Sequence, residues 1–242
     1  YYLNIINKIN IDLSHRGPDN SGIWNDKKKY CYLGHTRLSI IDLSYKANQP
    51  MIDSDNDYVI SFNGEIYNYL ELRDLLISHG VRFFTSSDTE VILNGFKYFG
   101  KNFLLNIDGM FVFAIYDVKK EKLFICRDRV GEKPLYYVST SKLFIFSSEL
   151  KPLLRFYQKI KFNICKQSVF DYLALRYVPK GSTLISQIKK LEPGNYLELS
   201  NNNELKICRY FSYNVTPEEH SPRKKLIDYG EKILFNLKKS IK

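Results

Sequence analysis

The sequence predicts an α+β fold in which antiparallel sheets carry helices packed on their outer faces. Three observations predict it. Strand-like runs follow one another instead of alternating strictly with helices. The segments joining the runs after residue 110 are short and polar, as in antiparallel meanders. Between the strand blocks lie apolar stripes of helical period, bounded by cap and stop residues. The chain has 242 residues, 44% of them hydrophobic and 26% charged, so it can build a core and is not compositionally disordered.

In chain order, Leu38 to Leu43 and Tyr58 to Phe62 read as strands, with Asn63-Gly64 ending the second as a turn. Tyr69 to His79 reads as a helix with Leu72, Leu75 and Leu76 on one face and Gly80 as its stop. Ser87 to Phe99 reads as the next, since Ser87 and Glu90 have capping-box spacing and Val91, Ile92, Gly95, Phe96 and Phe99 form its stripe. Strands are expected over Met110 to Asp117, Lys122 to Arg127, Leu135 to Val138, Leu143 to Ser147 and Tyr196 to Leu199. Helices are expected over Ser148 to Phe156 and Ser168 to Tyr177, and Asn201 to Asn203 as a turn. The pattern changes after about residue 210, where Pro217, Pro222 and several charges suggest a linker. Leu226, Tyr229, Ile233, Leu237 and Ile241 then recur at three- and four-residue steps, as in one amphipathic helix. The expected domains are therefore 1–209 and the beginning of a second over 210–242.

Composition excludes several classes. The longest apolar runs fall far short of the ~18 residues that span a bilayer, and no signal peptide is readable. The four cysteines, at 31, 126, 165 and 208, form no C-x-x-C pair, which fits free thiols in a reducing, cytoplasmic setting better than disulfides or zinc. The four histidines have no metal-ligand spacing, so no metal site is expected. The net charge of +10 would suit nucleic acid, but the lysines are scattered and thicken only near the C-terminus, so neither nucleic acid nor membrane is the expected partner.

Five polar clusters punctuate the strand ends, and each has a plain structural reading as a turn, an ion pair or a helix cap. Their order and identity together do not. RGPD at 16–19, GHTRLSIIDLS at 34–44, NGEIYN at 63–68, SDTEV at 87–91, RDRVGEKPLYY at 127–137 and SSELK at 147–151 make residues 12–200 resemble the glutaminase domain of glutamine-dependent asparagine synthetases, an N-terminal-nucleophile amidotransferase. The resemblance implies a four-layer αββα sandwich of two antiparallel sheets and hydrolysis of glutamine to glutamate and ammonia. It also implies roles. Arg37 would hold the glutamine α-carboxylate and Asp88 the α-ammonium. The Asn63 side-chain amide and the Gly64 N–H would form the oxyanion hole. Glu65 and the backbone of Leu38, Ser39, Ile40 and Ile41 would line the pocket.

The resemblance further assigns the nucleophile to a cysteine at the mature N-terminus, whereas this sequence opens Tyr1-Tyr2-Leu3 and has no cysteine before Cys31. The first strand is thus expected to be missing and this chain to be inactive as a glutaminase. The Ser-Gly-Gly-x-Asp-Ser loop that cradles ATP phosphates in these synthetases is also not in the sequence. No cofactor is expected in this chain; ATP and magnesium would belong to a C-terminal synthetase domain, the natural partner, with a homodimer implied by the family. Other readings are an asparagine-synthetase-like amidotransferase with a sugar or peptide acceptor, and a non-catalytic glutamine-binding domain.

Overall fold

The structure is a computed structural model that describes residues 2–156, 162–213 and 223–241. It divides into two compact units, 1–212 and 213–242. The first unit holds α1 (Tyr2–Leu13), β1 (Asn20–Asn25), β2 (Tyr32–Arg37), β3 (Met51–Ile52), β4 (Tyr58–Ile66), α2 (Tyr69–Ser78), α3 (Asp88–Phe99), β5 (Gly109–Asp117), β6 (Lys122–Arg127), β7 (Tyr136–Ser139), β8 (Phe144–Ser147), α4 (Leu150–Phe156), α5 (Lys166–Leu175), β9 (Lys189–Lys190), β10 (Asn195–Leu199) and β11 (Leu205–Arg209). The second unit contains α6 (Arg223–Ile241), which carries the expected amphipathic repeat; the predicted linker prolines, Pro217 and Pro222, lie outside the described residues.

All strand pairs are antiparallel. The central sheet has six strands in the order β11-β10-β6-β5-β4-β3. Alternation along β5 sorts its two faces, because successive side chains point to opposite sides of a sheet. Phe111, Phe113 and Ile115 pack with Leu72 and Leu76 of α2 and with Val91 and Ile92 of α3. Val112, Ala114 and Tyr116 pack the other way, against Leu33, Leu135 and Tyr137. A third cluster joins Ile9 of α1 and Leu153 of α4 to Val138 and Ile145 of β7 and β8. The result is four layers, helix, sheet, sheet, helix.

The second sheet layer comes in two pieces, β1-β2 and β8-β7-β9. In that layer, among the described residues, β2 is laddered to β1 alone, apart from an isolated Pro18–Arg37 bridge, and β8 to β7 alone, so each has an open edge.

Several elements differ from the sequence expectation. Residues 38–43 are irregular backbone instead of a strand, and the strand of that region is β2, ending at Arg37. Leu38, Ile40 and Leu43 are 56%, 66% and 77% exposed, so the apolar run there does not mark burial. Asn63-Gly64 does not terminate its strand, because β4 continues to Ile66 in unbroken register with β5. Leu75 is exposed where Leu72 and Leu76 are buried. Only half of the capping box forms. Ser87 Oγ accepts the Glu90 N–H, but the Glu90 carboxylate bonds the Phe84 and Thr85 N–H groups instead of returning to Ser87. The helix α1 and strands β1, β9 and β11 carry no expectation from the sequence.

Candidate active site

A cavity of about 860 Å³ lies in the first unit between the open edges of β2 and β8, over one face of β4 and β5. Its apolar lining includes Ile5, Ile6 and Ile9 of α1 and Val112 and Ala114 of β5. Arg37, Asn63, Gly64, Glu65 and Asp88, from three distant stretches of sequence, line the same cavity. Leu38, Ile40 and Ile41 also line it, whereas Ser39 does not; the Ser39 N–H donates to the Asp19 carboxylate at 2.7 Å.

Arg37 closes β2 and is 7% exposed. Its Nη1 donates to the Ser44 carbonyl and to Asn48 Oδ1, each at 2.8 Å, and its Nη2 donates to the Asp42 carbonyl. The segment 38–48, irregular except for a 3-10 turn at Tyr45–Ala47, therefore wraps acceptors around one guanidinium. Of its five N–H donors three are used among the described residues. The Nε–H and one Nη2–H remain, donors of the kind that bind a carboxylate.

The edge of β4 has a simple logic. In an antiparallel pair, the N–H and C=O of one residue point to the same side, and the side alternates along the strand. Phe111 exchanges bonds with Asp128, so the Gly64–Phe111 pair is not a hydrogen-bonded one. Phe62, Gly64 and Ile66 thus turn their N–H groups off the edge away from β5. The Phe62 N–H donates to Gln49 Oε1 at 2.7 Å and the Ile66 N–H to Asp88 Oδ2 at 3.2 Å. Gly64, between them, directs its N–H to the cavity. Glycine is required at this point: a Cβ would lie 2.1 Å from the Met110 carbonyl oxygen, and φ is +157°. The neighbouring Asn63 Nδ2 donates to Ser148 Oγ at 3.4 Å.

Asp88 is the first residue of α3, next to the Ser87 cap, and is 7% exposed. Burial pushes its carboxyl up to about 6, and nearby Glu65 adds to the rise, while the N–H of Ile66 opposes it. Among the described residues it has no cationic partner. A buried carboxylate without a cation is costly unless something brings one.

Sequence reasoning missed His35, Gln49, Ser61, Thr89 and Ser148 as cavity residues. His35, Thr89 and Ser148 sit inside the family-like segments quoted above, so the signal was present; Gln49 and Ser61 lie outside them. His35 Nε2 bonds the Phe62 carbonyl at 2.9 Å, and burial lowers its pKa to about 4, which keeps the ring neutral and makes that nitrogen the donor. Of the cysteines, Cys31 lines the cavity, but burial and the nearby Asp26 push its thiol well up. Cys126 is fully buried and likewise raised.

Residues 3–211 match the glutamine amidotransferase domain family. The chain belongs to that family. It is 38% identical to the putative glutamine-hydrolysing asparagine synthetase 2 of Methanocaldococcus jannaschii, over 96% of this chain and 48% of the relative. It is 37% identical to asparagine synthetase 1 of Bacillus subtilis, over 88% of this chain and 33% of the relative. The chain thus spans half or less of the length of these relatives. Its fold is also that of the glutamine phosphoribosylpyrophosphate amidotransferase of B. subtilis, with a TM-score of 0.61 at 21% identity, covering 87% of this chain and 47% of that one. Among the described residues no helix is long and apolar enough to cross a membrane. The sequence expectations of an α+β antiparallel architecture and of a glutamine amidotransferase domain akin to those of asparagine synthetases hold.

Proposed function

We propose that the cavity binds L-glutamine, and that the amidotransferase unit is the ammonia-producing half of an asparagine synthetase acting in the cytoplasm. The Arg37 fork takes the α-carboxylate. Asp88 takes the α-ammonium, with Glu65 deepening the negative field. The γ-carboxamide then reaches the Asn63 side chain and the Gly64 N–H, which stabilise the oxyanion formed when a nucleophile adds to its carbon. Each such donor contributes about 3–4 kcal/mol to transition-state stabilisation. The ammonia released serves the amidation of aspartate, in a separate synthetase domain that uses ATP and magnesium.

Cleavage also requires a thiolate beside Gly64. None of the four cysteines suits that part, since Cys31 and Cys126 are held as thiols and Cys165 and Cys208 do not line the cavity.

The observation that carries this reading is that one cavity is lined by a buried guanidinium, by a buried carboxylate that has no cation among the described residues, and by Gly64. Titration calorimetry tests it. L-glutamine is expected to bind and D-glutamine to bind at least tenfold more weakly. Silence at millimolar L-glutamine refutes the reading, and ammonia release from glutamine refutes the assignment of the cysteines.

A further inference from the structure

We infer that Gln49 is a positioning residue that locks the two halves of the glutamine site together. The inference rests on the glutamine reading above and goes beyond it. The site has two carriers. One is the stretch of β4 that holds Asn63 and Gly64; the other is the first turn of α3, which begins at Asp88. They come from different layers of the fold, yet glutamine must touch both at once.

Gln49 bridges them with one carboxamide. Its Oε1 accepts the Phe62 N–H at 2.7 Å, one residue before Asn63. Its Nε2 donates to Thr89 Oγ1 at 3.2 Å, one residue after Asp88. Both groups of the amide are used, and Gln49 is only 7% exposed although it borders the cavity. An amide is suited to this task because it donates at one end and accepts at the other. The Gln49 main chain is itself pinned: a Cβ at Gly22 of β1 would meet the Gln49 carbonyl oxygen at 2.0 Å. The Phe62 carbonyl takes the His35 ring nitrogen, so both backbone groups of the residue before Asn63 are held by side chains where β3 no longer covers the edge.

Nothing in this arrangement touches glutamine through the Gln49 amide itself. Its effect is on distance. With the bridge intact, the Gly64 N–H and the Asp88 carboxylate sit at a separation set by rigid elements. Without it, β4 and α3 remain joined near the site by the Ile66–Asp88 bond, which a bound ammonium competes for. Errors of an ångström in such placement cost orders of magnitude in binding and turnover.

The test uses the full chain, with Gln49→Met, Thr89→Val and Thr89→Ser, and two ligands. L-glutamine spans both halves; L-2-aminobutyrate has the same α-carbon groups but no carboxamide and engages only Arg37 and Asp88. Thr89→Val and Gln49→Met are expected to weaken L-glutamine about tenfold and L-2-aminobutyrate less than twofold. Thr89→Ser, which keeps the hydroxyl, restores glutamine affinity to within twofold of the parent. Combining Gln49→Met with Thr89→Val adds no further loss, because both break one bridge. Equal loss for both ligands assigns Gln49 a merely structural part and overturns the proposal, as does unchanged glutamine affinity. Amide hydrogen exchange without ligand covers a variant that misfolds and a parent that does not bind. In Thr89→Val, faster exchange at Phe62 and Ile66 alone keeps the bridge even if the glutamine reading falls. Unchanged rates at both remove it.

Discussion

The two ends of β4 present the same physical problem with opposite solutions. At its start Asp53, 6% exposed, accepts the N–H groups of Asp57 and Tyr58 at 2.7 and 2.8 Å. At its end Asp88, 7% exposed, accepts the N–H of Ile66. Both carboxylates sit where β4 meets α3, Asp53 on the loop before β4 and Asp88 on α3 itself. The difference is the cation: Lys97, in the last turn of α3, places its ammonium 2.5 Å from Asp53 and also bonds Asp55, whereas Asp88 has none among the described residues. A buried carboxylate with a resident cation is a finished structural joint. One without carries the cost of burial uncompensated, and its raised pKa records that cost.

Exchanging the fates of these two residues should break the comparison most sharply. Asp88→Ala is expected to abolish glutamine binding in calorimetry, a loss of more than 100-fold, and Asp53→Ala to leave affinity within twofold. A strong effect of Asp53 on affinity would end the distinction.

Next in size is stability. Burial raises the Asp88 pKa from 3.8 to about 6, so the folded state holds a proton more firmly than the unfolded chain. Stability therefore falls as pH rises through that window, by about 2 × 1.36, or ~3 kcal/mol. His35 runs the other way. Its pKa drops from 6.5 to about 4, so its stabilising neutrality is lost as pH falls through the same range. In the parent the two limbs oppose each other between pH 4 and 6. Asp88→Asn removes one limb: the variant should be up to ~3 kcal/mol more stable than the parent at pH 8, and its stability should rise with pH from 4 to 6.5.

Asp53→Asn is expected to act in the opposite sense, costing roughly 1–2 kcal/mol in urea at neutral pH by weakening the Lys97 joint. The smallest effect is on binding in mild acid. Because the carboxylate form of Asp88 must meet the ammonium, glutamine affinity should drop about tenfold per unit once pH falls below about 6 and be level above it. An affinity unchanged between pH 5 and 7 would separate Asp88 from the ligand.

Some of this was legible before any coordinates. The run from Met110 to Tyr116 and the stripe from Val91 to Phe99 became β5 and α3 because continuous apolar burial and helical period are local properties. The same reasoning failed at 38–43. Leu, Ile and Leu there read as a strand, but the backbone carbonyls of Asp42 and Ser44 are drawn to Arg37, and a backbone that bends to surround a guanidinium cannot stay in a ladder. It failed again at Asn63-Gly64, where turn propensity yielded to nine consecutive pairings with β5.

The sequence by itself determined which residue types were on hand and several of the local elements, including Asp88 beside a helix cap, because caps, periods and apolar runs act over a few residues; it set Arg37 ahead of an apolar run, not at the close of a strand. Only the tertiary structure decided that Asp53 would meet a lysine 44 positions away and Asp88 would not, and that Gln49 would span Phe62 and Thr89. Those outcomes depend on which strand edges and helix ends approach within about 3 Å, a quantity set by the packing of whole layers.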